Sequence, residues 1–77
     1  MKKINLVQMK AGQKGRIAEL PEGSGLRRKL MSLGIYSGRE VTKISHIGLK
    51  GPAAIKAGRS VLVLGHGMAT KVIVEIQ

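Results

Sequence analysis

Ser24-Gly25-Leu26-Arg27-Arg28-Lys29-Leu30-Met31-Ser32-Leu33-Gly34 carries helical spacing, and the rest of the chain is organised around it. Leu26, Leu30 and Leu33 fall at i, i+4 and i+7, so a helix sets them on one apolar stripe while Arg27, Arg28 and Lys29 point elsewhere. Pro21-Glu22-Gly23 closes the preceding segment, and Ser24 is the expected N-cap, its hydroxyl placed to accept from an unpaired amide of the first turn. Gly34 supplies the left-handed residue that stops the helix.

On either side of this helix the pattern is that of short strands between glycine turns. Toward the N-terminus, Ile4 to Met9 leads into Lys10-Ala11-Gly12-Gln13-Lys14-Gly15, and Arg16-Ile17-Ala18-Glu19-Leu20 follows as a strand with Ile17 facing the core. Toward the C-terminus, Ile35-Tyr36-Ser37-Gly38 turns the chain into a strand from about Arg39 to His46, with Val41 and Ile44 as its apolar members. Their spacing breaks strict alternation, and a bulge reconciles it. His46 to Gly51 is expected to be a hairpin loop. Pro52 to Ala57 then alternates, with Ala53, Ile55 and Ala57 on one face and Lys56 on the other. Gly58-Arg59 turns into Ser60-Val61-Leu62-Val63-Leu64, a run too uniformly apolar to be half-exposed unless its outer side is covered or docks onto something. Gly65 to Ala69 has the character of one 3₁₀ turn before a last strand, Lys71 to Ile76. The sum is a mainly β domain of about five strands with one inserted α-helix, a small barrel whose closure removes most free edges.

Composition narrows the function classes. A chain of 77 residues is expected to form a single domain over residues 1–77, too small to hold a deep catalytic cleft of its own. Without Cys it has neither disulfides nor thiolate metal ligands, which fits a reducing cytoplasm. No apolar run approaches the roughly 20 residues of a membrane span, so no direct membrane insertion is expected. Fourteen Lys and Arg against 4 acids give a formal charge of +10, which favours an acidic protein face, a nucleic acid or an anionic membrane surface. Tyr36 is the sole aromatic residue, so the core must be aliphatic and the stacking platforms of single-strand nucleic-acid readers are missing.

Leu6 followed by Gly12, Gly15 and Ile17, and then Leu30-Met31-Ser32-Leu33-Gly34-Ile35 with Gly38, resembles the FeoA family and its Leu-x-x-Leu-Gly-Leu-x-Pro-Gly signature. Gly51-Pro52, the alternating strand to Ala57, Gly58, the apolar run, Ala69 and Val72-Ile73-Val74 follow in the family's order. The chain departs from the pattern at Ser37, where Pro is usual, and at Gly65-His66-Gly67, where more polar residues are common. The same domain type closes iron-dependent repressors. The resemblance implies an SH3-like barrel acting in bacterial ferrous iron uptake on the FeoB membrane transporter, whose cytoplasmic G-protein domain is the natural docking candidate. It also implies a cytoplasmic protein held peripherally at the inner membrane through that transporter. A free-standing chain, lacking DNA-binding and metal-binding domains, fits the transport accessory rather than the repressor.

The partner-binding residues expected from the sequence are Arg27, Arg28, Ile47, Leu49 and Arg59. Arg27 and Arg28, placed in the first helical turn where the macrodipole disfavours cations, are expected to form an anion-accepting surface with the helix amides. Ile47 and Leu49, with the Val61 to Leu64 strand, are the expected apolar patch, usable for docking or for a homo-oligomer. A metal site is not expected, because His46 and His66 stand far apart without hairpin spacing, and no cofactor is expected. No catalytic constellation is present: there is no Asp, no Cys and no phosphate loop. The met-rich positions Met9, Met31 and Met68 are read as packing residues. Two alternatives remain open. One is a GTPase-stimulating regulator with Arg27, Arg28 or Arg59 as a finger. The other is a basic module like the ribosomal KOW barrels, resting on phosphate contacts; the lack of aromatic residues disfavours nucleic acid.

Overall fold

The computed structural model describes residues 2–46 and 51–77. The strands are β1 (Lys2–Asn5), β2 (Lys14–Glu19), β3 (Glu40–His46), β4 (Ala53–Ala57), β5 (Ser60–Leu64) and β6 (Ile73–Ile76), with helices α1 (Ser24–Ser32) and α2 (His66–Ala69). All strand pairs are antiparallel, in one sheet of order β1-β6-β2-β3-β4-β5. The fold is therefore mainly β and SH3-like, with six strands where about five are expected. The extra one is β1, too short and too polar to announce itself; it forms by pairing Lys2 to Asn5 with β6. Each terminal strand, β1 and β5, has a single sheet neighbour, so the sheet keeps two edges that the expected closure would have removed.

The core is wholly aliphatic, as the composition demands: Leu6, Ile17, Leu30, Ile35, Val41, Ile55, Val72 and Val74 are buried together. Helix α1 joins it through its end. Leu33 is the C-cap and Gly34 follows in the left-handed region at φ 91°. The Ile35 amide donates to Leu30 O at 2.9 Å and the Gly34 amide to Met31 O at 3.0 Å, the paired bonds of a Schellman motif, and buried Ile35 packs with buried Leu30 in the core. A Cβ at Gly34 would meet nothing within 4 Å, so substitution is penalised by backbone conformation alone. Gly34→Ala is expected to cost roughly 1–2 kcal/mol. Thermal unfolding should register that as a drop of roughly 4–16 °C.

Strand β3 carries the expected bulge, but it works differently. Lys43 faces Ile55 and Ser45 faces Ala54, leaving Ile44 as the unpaired extra residue, exposed rather than in the core. The inward positions before the bulge are Val41 and Lys43; after it the parity changes and His46 faces Ala53. Paired residues share a face of the sheet, so the bulge turns His46 toward the side where Ala53 is buried.

Lys43 is the one buried charged residue among those described. Its Nζ donates to Leu6 O at 2.5 Å and Met9 O at 3.1 Å, with Val7 O at 3.5 Å, and so ties the loop after β1 to the sheet. The Lys43 backbone adds two more ties, its amide donating to Gln13 O at 2.9 Å and its carbonyl accepting from Gly12 at 2.8 Å. Around that loop, Asn5 and Gln8 exchange side-chain to backbone bonds of 3.0 and 2.9 Å.

Candidate functional site

The N-terminus of α1 begins one residue earlier than the Ser24 cap implies. Gly23, at φ 115°, is the N-cap and offers no side-chain acceptor, and the first helical bond runs from the Arg27 amide to Gly23 O at 3.0 Å. Arg27 and Arg28 therefore follow the free amides, at the fourth and fifth helical positions rather than in the first turn. The macrodipole penalty that motivated the expected anion-accepting surface fades within the first turn.

Arg27 instead lines a groove between α1 and the end of β2. Its walls are Ala18, Glu19, Leu20, Glu22, Arg27, Met31, Tyr36 and Ser37, enclosing about 540 Å³. The helical repeat explains the pairing, since Arg27 and Met31 are four residues apart on one face. Met31 is not packing, as expected, but 57% exposed, and Tyr36 is 40% exposed beside it. Tyr36 is held in place: the Arg39 guanidinium sits 5.4 Å from its ring centre and donates to its hydroxyl at 2.9 Å. The groove thus has an apolar floor, one cation and two carboxylates at its rim.

The other expected contacts fall elsewhere. Arg28 is exposed on α1 and does not line the groove. Arg59 is exposed in the two-residue turn joining β4 to β5, where Gly58 has φ 62° and Arg59 does not, a type II′ arrangement. The Arg39 guanidinium lies against Gly58, so this turn touches the same arginine that braces Tyr36. Ile47 and Leu49 lie outside the described residues. Val61 and Val63 stand on the uncovered side of β5, so the run that called for a cover has none within the described chain.

A second hollow of about 470 Å³ is lined by Gln13, Lys14, Gly15, Arg16, Glu40, Glu75, Ile76 and Gln77. Cross-strand register places Arg16 opposite Glu40 on one side and Glu75 on the other.

His46 and His66 are the residues whose relation was illegible from spacing. The register His46↔Ala53↔Leu64 runs across β3, β4 and β5, and His66 follows two residues after Leu64. Their ring centres lie 6.3 Å apart, tilted at 57°. His46 Nε2 and His66 Nδ1 are both buried without a hydrogen-bond partner among the described residues. Among the described residues no third His, Cys, Asp or Glu completes a metal-ligand group. No helix among them is long and apolar enough to cross a membrane.

An antiparallel sheet of six strands with α1 inserted between β2 and β3 defines the class as an SH3-like domain. The chain belongs to the FeoA family: the model of the FeoA domain matches residues 4–76. The crystal structure of an iron uptake regulatory protein (FeoA) superposes with a TM-score of 0.87 at 27% identity, covering 100% of both chains. The FeoA-like protein of Clostridium acetobutylicum superposes with a TM-score of 0.82 at 26% identity, over 99% of this chain and 88% of that one. A manganese-dependent transcriptional repressor in complex with manganese shares the fold, with a TM-score of 0.88 at 16% identity over 100% of this chain and 38% of its own. No curated protein matches the sequence.

Proposed function

We propose that this chain is an accessory domain of bacterial ferrous iron uptake that docks, through the α1 groove, onto the cytoplasmic G-protein region of an FeoB-type transporter and modulates transport. Membership of the FeoA family supplies the process, and the similar proteins of known structure include one described as an iron uptake regulatory protein. The groove supplies the surface. The observation that carries the proposal is the pairing of exposed Met31 and braced Tyr36 with Arg27 at the rim. A rigid aromatic residue and an arginine at an apolar depression are the residue types that dominate interface energy. The net charge of +10 speeds encounter with an acidic face. Location at the inner membrane would then follow from the transporter.

Met31→Glu places a carboxylate on the groove floor without touching the core. It is expected to weaken binding to the purified transporter G domain, read by calorimetry, by at least about 30-fold, the scale of a hot-spot residue worth roughly 2 kcal/mol. Arg28→Glu, off the groove, should change affinity by less than about fivefold. Equal affinities for Met31→Glu and wild type would remove the groove from the interface. Single-turnover GTP hydrolysis by the G domain, with and without the protein, separates adaptor from finger: a rise of roughly 10³-fold would assign the regulator role instead.

A further inference from the structure

We infer that His46 and His66 form a two-imidazole site for one divalent transition-metal ion. The two residues are 20 positions apart and are joined in space by the β3 bulge, which turns His46 to the inner face, and by the β4–β5 hairpin, which returns the chain beside it. Each ring has a nitrogen removed from solvent and without a partner among the described residues, His46 Nε2 and His66 Nδ1. A buried polar atom in that state is costly, and two of them on neighbouring rings point to a shared occupant that accepts from neither and is bound by both. A cation meets that description, since a neutral imidazole nitrogen without its proton is a metal ligand.

The distance is suitable. Imidazoles bound to one ion through nitrogens at about 2.0–2.1 Å have ring centres on the order of 5–6 Å apart, and these stand at 6.3 Å, within reach of a small side-chain adjustment. The 57° tilt rules out face-to-face stacking of the two rings. Imidazole selects borderline ions such as zinc, copper, nickel and iron over calcium and magnesium. With no third ligand among the described residues, water fills the remaining positions, and the site is an exchangeable one rather than a structural one. The site stands apart from the α1 groove and does not depend on the docking proposal.

Zinc chloride titrated calorimetrically into tag-free protein tests it. Wild type should bind one ion per chain saturably. His46→Gln and His66→Gln, each verified as folded by amide NMR dispersion, should each weaken binding by at least about tenfold, and the double variant should abolish it. Nitrogen-15 imidazole spectra of the wild type should show zinc displacing the resonances of His46 Nε2 and His66 Nδ1 together. Absence of saturable binding, or affinity unchanged in both single variants, would overturn the site.

Discussion

Lys43→Met is expected to lower the stability of the domain by about 3 kcal/mol, because the carbonyls of Leu6 and Met9, buried and deprived of the Nζ that donates to them, each cost roughly 1–3 kcal/mol unpaired. Methionine fills much the same volume, so the comparison isolates the polar loss from a cavity. Removing the buried ammonium also relieves its desolvation, which is why the net cost stays below the sum for the orphaned carbonyls. A chain of this length has roughly 4–12 kcal/mol in total, so the transition should fall by roughly 12–24 °C. Burial pushes the Lys43 ammonium below its ordinary value of 10.5. The unfolded chain then holds this proton more tightly, so the group costs stability below its folded pKa and the cost fades as pH rises toward 10.5. A neutral amine still has two N–H donors for the two nearest carbonyls. Wild type should therefore gain stability over Lys43→Met as pH climbs through that window, a difference read from urea midpoints of the two proteins. An unchanged midpoint at neutral pH would mean that water replaces Nζ and that the tie is dispensable.

Gly15→Val should be nearly as damaging, for a steric reason. Gly15 is buried in β2, and a Cβ there would stand 3.0 Å from Ile76 Cγ2 and 3.1 Å from the backbone carbonyl of Glu75. The side chain of Ile76 can shift, but the carbonyl belongs to the β6 ladder and cannot. Two further methyl groups must then separate β2 from β6, a strand held between β1 and β2. Overpacking of this kind costs roughly 1–3 kcal/mol, and the upper end is expected where backbone is the obstacle. Thermal unfolding should show a fall of roughly 8–24 °C, with amide exchange quickened first at Val74 and Glu75. A shift within about 2 °C would show that β6 moves aside at little cost.

These two residues also mark where local sequence stops being informative. The alternation of Ala53, Ile55 and Ala57 and the helix stop at Gly34 are decided by neighbours a few positions away, and both are legible. A period-two pattern sends Lys43 inward as readily as outward, and what holds it inside is a set of carbonyls more than thirty residues upstream. The bulge at Ile44 is detectable as broken alternation, yet which residue it ejects depends on the register with β4. The same register assembles His46 with His66, so their separation in sequence hides their proximity. On α1 buried Leu30 is legible, whereas exposed Leu33 and Met31 are not, because an apolar residue on a helix reads as core until its facing element is known. The position of the helix start, shifted to Gly23, is what separates Arg27 from the free amides.

The surface by which the domain meets its partner is tested most directly by adding the unlabelled G domain of an FeoB-type transporter to the nitrogen-15-labelled protein and following every amide. The groove account predicts that the changes concentrate at Glu22, Arg27, Met31, Tyr36 and Ser37, with β5 unaffected. Changes confined to Val61 and Val63, or none at saturating G domain, would contradict it.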